Sequence, residues 1–568
     1  MTGHVPAGLS MRRAFPHRVG GARLCLVGQA FLPVTLALVL QAACSGTRLF
    51  AQEPVIRFTD VSKAAGMWMQ HRTKHPDKRV AEAQPNFVDV YEKGYYWEIE
   101  DLTFLDADGD GNLDVFMLDA HTGRWSRLWL GDGKGGFAEI DPKKLNPFFQ
   151  GDNTYWRMFA YDFVGKGAED VVFTQGWHGY DYRTVASLRQ RCIVPRPARQ
   201  QDFRMSMSLM WTAGYTHLLS DVDGDGCVDV VTGIEFDRGS PQGQGWLQCG
   251  TVTGDEIELD RTQVPLPVGT HSVAADFDGD GLVDVLCRGY WARARLMRNL
   301  GSRHFADVTQ DSGLAGMPSG GPVAVADFNQ DGLLDIYCSG AGAEGVPGGV
   351  KLYLNQGGGR FKDSTAESGL IPEGKTEFRQ RFGTATAADF NNDGLVDLFV
   401  CDSAANRLYC NMGNGTFKDV TNASGVVPAA TDESSNAAGD FDADGRVDLL
   451  VVTPREGVGL FRNTTQNASG WIKVRLKGPK GNPEGAGAQV TLYEVGRLGD
   501  KKAILGYQEW IVATEFKIPR PLHFGLGLKG QCDVRVVFPG GKVAEKRGMI
   551  TGQTAVISVE DAVRGGGK

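Results

Sequence analysis

Asp276-Phe277-Asp278-Gly279-Asp280-Gly281-Leu282-Val283-Asp284 reads as a loop wrapped round a cation. Carboxylates stand at positions one, three, five and nine, a backbone carbonyl is available at position seven, and the glycine after position five permits a sharp turn. Oxygens at that spacing suit calcium, a hard ion that takes about six to eight of them. Carboxylates held a few ångströms apart repel one another, so without a cation they take up protons or open the loop.

The nonapeptide recurs along the chain. Its other intact copies place ligands at Asp106, Asp108, Asp110, Asn112 and Asp114; at Asp221, Asp223, Asp225, Cys227 and Asp229; at Asp327, Asn329, Asp331, Leu333 and Asp335; at Asp389, Asn391, Asp393, Leu395 and Asp397; and at Asp440, Asp442, Asp444, Arg446 and Asp448. The fourth residue of each set, like Leu282 in the first copy, offers only its carbonyl. A seventh copy, Asp162-Phe-Val164-Gly-Lys166-Gly-Ala-Glu169-Asp170, has lost the position-three oxygen and carries an ammonium at position five, so it is expected to be metal-free. Calcium is expected at about six sites, structural rather than catalytic because identical loops make a poor unique active site, with affinities of about 10⁻⁴ to 10⁻³ M. Taking away the five arginines of the first 51 residues moves the formal charge from −9 to −14, which about six divalent ions would nearly cancel.

First aspartates at 106, 162, 221, 276, 327, 389 and 440 define a repeat of 51 to 62 residues. Around each loop the pattern is β-like. Ala385-Thr-Ala-Ala precedes one loop, Leu398-Phe-Val-Cys follows, then Arg407-Leu-Tyr-Cys-Asn411 and Phe417-Lys-Asp-Val-Thr421, with Gly, Asn and Asp between. Four strands repeated seven times predict an all-β fold, a seven-bladed β-propeller over 52–463 with a smaller β domain after it. The last repeat lacks its Phe-x-Asp-x-Thr strand, and Phe58-Thr-Asp-Val-Ser62 matches it, so the two ends of the propeller are expected to close the ring together.

These residues resemble the FG-GAP and VCBS repeats of integrin-alpha-like propellers. From Trp471-Ile-Lys-Val-Arg-Leu-Lys onward, with Leu522-His-Phe-Gly-Leu-Gly527, residues 464–560 resemble an ASPIC/UnbV domain, a combination similar to the cartilage acidic protein family. The segment usual before the His-Phe-Gly-Leu-Gly motif is replaced by Gly506-Tyr-Gln-Glu-Trp510, and residues 561–568 read as a tail. The resemblance implies a calcium-binding module whose members serve adhesion, carbohydrate binding and some lyase chemistry.

Residues 1–51 read as a signal peptide: Arg12, Arg13, Arg18 and Arg23 precede an apolar stretch interrupted by Pro33, too short to span a membrane. Cleavage after Ala51 is expected, with lipid anchoring on Cys44 as the alternative. Export to the periplasm, cell surface or medium follows, and an acidic exported chain makes nucleic acid a poor partner. Eight cysteines lie beyond Ala51; a Cys401–Cys410 disulfide and buried free thiols both remain open.

Inserts interrupt the repeat at 67–100, 176–215 and 242–260, the third Gly-rich. The first carries His71, Arg72, His75, Tyr95, Tyr96 and Trp97, and the second Trp177, His178, Tyr180 and Arg183. Such aromatic faces and guanidinium forks would suit a sugar ring with a carboxylate or sulfate, although the same residues also serve to pack long loops onto a scaffold. The chain therefore reads as a monomeric, non-enzymatic binding or adhesion module for an extracellular protein or glycan. The alternative is a lyase-type polysaccharide enzyme using the insert residues.

Overall fold

The computed structural model describes residues 56–67, 99–119, 126–140, 153–163, 165, 167–177, 190–193, 204–207, 216–234, 244–253, 256–259, 264–269, 271–289, 293–342, 345–371, 383–401, 406–426, 435–453, 457–513 and 516–562. Pro54–Lys568 makes one compact unit. It is built almost wholly of strands, as expected of an all-β chain punctuated by Gly and Asn turns.

Among the described residues, seven groups of four neighbouring antiparallel strands follow one another, two of them extended by a fifth strand from the C-terminal unit. Sheet 1 comprises Ile99–Leu105, Asp114–Asp119, Arg127–Gly131 and Phe137–Glu139; sheet 2 comprises Asn153–Tyr161, Asp170–Trp177, Gln190–Ile193 and Arg204–Met207. Sheet 3 comprises Thr216–Ser220, Asp229–Ile234, Gln244–Gln248 and Val264–Leu266; sheet 4 comprises Val273–Ala275, Asp284–Cys287, Arg295–Asn299 and Phe305–Asp307. Sheet 5 comprises Val323–Ala326, Asp335–Gly340, Gly349–Asn355 and Phe361–Asp363; sheet 6 comprises Ala385–Ala388, Asp397–Cys401, Asn406–Gly413 and Thr416–Asp419. Sheet 7 takes Asn436–Gly439, Asp448–Thr453 and Gly457–Asn463 from late in the chain and Phe58–Asp60 from its start, in the register Phe58↔Asn463. Every acidic loop joins the first strand of its sheet to the second.

In sheets 4 to 7 the first strands are short, of small residues and fully buried, Ala385–Ala388 being typical. They lie beside the first strands of neighbouring sheets, and that of sheet 7 meets that of sheet 1, which brings the last sheet back to the first. Between sheets the packing is aromatic. Phe361 of sheet 5 meets Phe277 in the loop of sheet 4 edge to face at 6.1 Å, Phe417 meets Phe328 at 5.6 Å, Phe58 meets Phe390 at 5.8 Å, and Phe137 of sheet 1 meets Phe441 of sheet 7 at 5.7 Å.

One expectation about the inserts changes. Within 242–260, Gln244–Gln248 is an ordinary third strand, and only the hairpin Gly250–Thr253 with Glu256–Leu259 is added. The cysteines are resolved too: Cys401 and Cys410, with Cys227, Cys249, Cys287, Cys338 and Cys532, are buried free thiols, so the disulfide alternative falls. Asn391 and Asn436 amides face the sulfurs of Cys410 and Cys401 at 3.6 and 3.3 Å.

After sheet 7 come a three-stranded sheet of Leu522–Gly527, Gly470–Lys477 and Gln553–Ser558 and a four-stranded sheet of Ile504–Glu509, Gln489–Tyr493, Gln531–Phe538 and Lys542–Ile550. Two short strands leave this C-terminal unit. Val512–Ala513 pairs with the first strand of sheet 3, and Phe516–Lys517 pairs in parallel with the first strand of sheet 6. The pair also touches the first strands of sheets 2, 5 and 7, so it occupies the axis round which those strands stand.

Candidate metal centre

The same hydrogen bonds shape every intact loop. The position-nine carboxylate is fully buried and divides its oxygens: one accepts the position-two N–H, the other an N–H at the end of the third strand. For Asp335 these donors are Phe328 at 2.9 Å and Asn355 at 2.8 Å; for Asp114 they are Ala107 at 2.7 Å and Gly131 at 2.8 Å. The position-one carboxylate accepts from the glycine at position six, as Asp276 does from Gly281 and Asp389 from Gly394. Those glycines sit at φ of +82° to +94°, a region that a Cβ disfavours. The position-five carboxylate accepts the position-seven N–H, as Asp280 does from Leu282 and Asp331 from Leu333.

Backbone donors therefore set the carboxylates facing one another while leaving each oxygen a lone pair for a cation. Ligand atoms of Asp106, Asp108 and Asp114 lie within 4.8 Å of one another, as do those of Asp276, Asp278 and Asp284, those of Asp221, Asp223 and Asp225 and those of Asp440, Asp442 and Asp448. Asp106 Oδ1 is buried and without a hydrogen-bond partner, which is the condition a bound cation relieves. The carboxylate sets at Asp106 and Asp276 are hard oxygens that fit calcium, while in sheet 3 the Cys249 sulfur also lies within 4.8 Å of Asp223 and Asp229.

Burial disfavours the charged carboxylates and raises their pKa values. It pushes Asp106 and Asp221 up to about 6, Asp229 and Asp327 to about 7, and Asp114 and Asp284 to about 8. Asp335, Asp389, Asp397 and Asp448 are driven well above the carboxylate range by burial and then by neighbouring aspartates, against the lowering pull of backbone N–H groups.

A clamp that the loop pattern does not announce joins neighbouring sheets. Asn299, Asn355 and Asn463 end their third strands and Asn411 stands two residues before the end of its own, all but fully buried. Each Nδ2 donates both to a carbonyl beside its own loop and to the position-two carbonyl of the preceding sheet's loop. Asn355 reaches Leu334 at 3.1 Å and Phe277 at 2.9 Å; Asn463 reaches Val447 at 2.9 Å and Phe390 at 2.7 Å. The signal was present in the recurrent final Asn of Leu-Met-Arg-Asn299, Leu-Tyr-Leu-Asn355, Leu-Tyr-Cys-Asn411 and Leu-Phe-Arg-Asn463.

The C-terminal unit covers this loop face. Arg475 approaches Asp106 at 3.6 Å, Glu484 accepts from Asp162 N at 2.8 Å, and Gly481 O accepts from Val228 N at 2.9 Å. Glu509 accepts from Asp276 N at 3.2 Å and Gln489 donates to Asp276 Oδ2 at 2.9 Å, so the divergent Gly506–Trp510 segment docks on the sheet 4 loop. Gln330 donates to Leu505 O at 3.1 Å, His523 Nε2 meets Asn392 Oδ1 at 2.7 Å, and Lys473 pairs with Asp440. All seven loop segments, the damaged one included, thus meet the cap. On the axis, Lys517 Nζ stands 3.4 Å from Asp101 Oδ2 and donates to Met158 O at 2.9 Å.

Residues 276–338 and 389–451 match the family model of the FG-GAP-like repeat. The chain carries FG-GAP-like repeats. It is similar to cartilage acidic protein 1 of Mus musculus, 27% identical over 462 residues, which covers 78% of this chain and 62% of that protein. Cartilage acidic protein 1 of Xenopus tropicalis is 26% identical over 275 residues, covering 46% of this chain and 40% of that protein. The chain thus spans between about two fifths and three fifths of these curated relatives. Among solved structures, the BP39L lectin from Burkholderia pseudomallei aligns over 66% of this chain and 98% of its own, with a TM-score of 0.40 and 12% identity.

The structure gathers the carboxylates singled out in the sequence into clusters in the loops beginning at Asp106, Asp221, Asp276 and Asp440. Position-seven residues enter through their backbone, since Leu333, Leu395 and Arg446 donate N–H groups to the position-five carboxylates. His71, Arg72, His75, Tyr95, Tyr96, Trp97, His178, Tyr180 and Arg183 lie outside the described residues, as do Val164, Lys166 and the leader with Cys44. Of Trp177 only the backbone is described, paired with Asn153. Among the described residues no helix is long and apolar enough to cross a membrane.

Proposed function

We propose that this chain is an exported, calcium-binding β-propeller that acts as a non-enzymatic binding module for an extracellular protein or glycan. The observation that carries the reading is the recurrence of one loop geometry in sheet after sheet: preset carboxylates, buried, with an orphaned oxygen at Asp106. Repetition of one loop geometry from sheet to sheet suits a stiffened scaffold better than a single reaction centre, and the relatives are named for cartilage, an extracellular tissue.

Bound calcium would supply positive charge at the meeting point of the loop carboxylates. The chain's own residues do the rest. Position-nine aspartates tie each intact loop to its third strand, Asn299, Asn355, Asn411 and Asn463 tie sheets 4 to 7 each to the one before, and the C-terminal unit covers the loop face. Ligand contact is then left to the rim and to the face opposite the loops, where the second strand of sheet 2 runs out at Trp177.

Calcium titration by calorimetry at neutral pH, followed by a glycan array and a matrix-protein panel with calcium or chelator, tests the proposal. Uptake of calcium by folded protein and capture of a defined ligand are expected. Folded protein that takes up no calcium would remove the ion from the reading; appearance of unsaturated uronates on incubation with polyuronates would replace the binding module by a lyase.

A further inference from the structure

The loops differ in how many cations the chain itself supplies. In sheet 4, position three is Asp278, and Arg298 of the third strand pairs with it at 2.5 Å. In sheet 7 the same pairing joins Asp442 and Arg462 at 2.5 Å. Where position three is Asn, as at Asn329 and Asn391, the corresponding strand residues are Leu354 and Cys410. An arginine thus accompanies the extra carboxylate in these sheets.

The sheet 7 loop goes further. Arg462 reaches Asp444 at 3.2 Å much as Arg298 reaches Asp280 at 3.5 Å, but here Arg446 also pairs with Asp444 and Lys473 of the C-terminal unit pairs with Asp440. Lys473 and Asp440 are shielded together, their side chains 10% and 2% exposed. Trp471 completes the cover: its indole lies so close to Gly445 that a Cβ there would be 1.8 Å from Nε1, and Lys473 Nζ stands 5.1 Å from the ring centre. A Cβ on the equivalent Gly111, Gly226 or Gly281 would meet nothing within 4 Å, and one on Gly332 would meet only the apolar Ile504 Cδ1 at 2.6 Å, so sheet 7 differs in being covered by a cation and an indole together.

We infer that Asp440–Asp448 is a metal-free socket in which Lys473, Arg462 and Arg446 neutralise the carboxylates, and that its task is to anchor the C-terminal unit. The inference rests on the calcium reading of the other loops. Four aspartates facing three basic side chains leave little negative charge to attract a divalent ion, and the Lys473 ammonium already holds the position-one oxygen such an ion would need. Sequence placed this loop among the calcium sites because Lys473 lies 33 residues from Asp440.

A crystal structure of the full chain grown in millimolar calcium decides it. The expected result is calcium in the loops beginning at Asp106, Asp221, Asp276, Asp327 and Asp389 and none between Asp440, Asp442 and Asp444. Calcium coordinated there in the wild-type protein overturns the inference while leaving the calcium reading intact; no calcium in any loop overturns both. Lys473→Met combined with Arg462→Met is expected to add about one calcium per chain by calorimetry, and a folded double variant with unchanged stoichiometry also overturns it. Lys473→Met alone provides the milder variant, expected to show weak additional uptake.

Discussion

At position four of the six intact loops, three use glycine and three do not. Gln330, Asn392 and Ala443 occupy left-handed backbone at φ 61°, 57° and 56°, a conformation that costs a residue with a Cβ roughly 1–2 kcal/mol. Two of them offset it through their side chains. Gln330 donates to Gly394 O at 2.7 Å, and Asn392 donates to Gly445 O at 2.9 Å while facing His523. Ala443 has no group with which to do so. Ala443→Gly is therefore expected to stabilise the protein by roughly 0.5–1 kcal/mol, the relief of strain being partly offset by greater freedom of the unfolded chain. Denaturant midpoints with unchanged slope measure it, and a lowered midpoint would refute the strain argument. The aspartates were legible from sequence because each loop contains nearly all its own ligands. The asparagine clamps were not singled out, because their second acceptor belongs to another sheet and sits 78 residues away for Asn355.

Strands were legible wherever their partners were local. Ala385–Ala388, Asp397–Cys401 and the two strands after them pair in sequence order, and turn residues alone mark their limits. The axial pair Val512–Ala513 and Phe516–Lys517 carries no comparable signal: each has two residues, and each adds to a sheet formed hundreds of positions earlier. Its anchor is Asp101, fully buried. One oxygen accepts from Leu102 N at 2.9 Å and Ser435 Oγ at 2.6 Å, the other from Met158 N at 2.9 Å with Lys517 at 3.4 Å. This carboxylate joins sheets 1, 2 and 7 to the axial pair. Asp101→Ala leaves a buried ammonium and several buried donors without their acceptor, and is expected to cost about 3–5 kcal/mol. Lys517→Met should cost less, because Asp101 keeps its hydroxyl and N–H donors. Equilibrium unfolding of the two variants checks the order, and a Lys517→Met protein hurt as badly as Asp101→Ala would mean that the ion pair, not the carboxylate hub, dominates.

Across the whole molecule the same reasoning makes the C-terminal unit part of the propeller's stability rather than an appendage. The repeat spacing and the displaced Phe58–Asp60 strand were enough to foresee blades and their closure. They could not foresee the cap, since no local pattern says which face a following β unit will cover. With every loop segment and the axis engaged, calorimetry of the calcium-loaded chain should show one unfolding transition; two separated transitions would mean that cap and propeller fold independently. The buried carboxylates then dictate how that transition moves with pH. In chelated protein Asp106, Asp221, Asp229, Asp327, Asp114 and Asp284 hold protons up to about 6 to 8, whereas in the unfolded chain they release them near 4. The folded state binds more protons, so their contribution is complete below about pH 4 and is lost as pH rises through 6 to 8. Calcium reverses the demand, because it binds the ionised loops and displaces those protons. Melting temperatures in chelator should therefore fall between pH 5 and pH 8 while those in calcium hold, so that the gap between the two series widens with pH. A gap that stays constant or narrows over that range would show that calcium is not taking the place of the protons on these carboxylates.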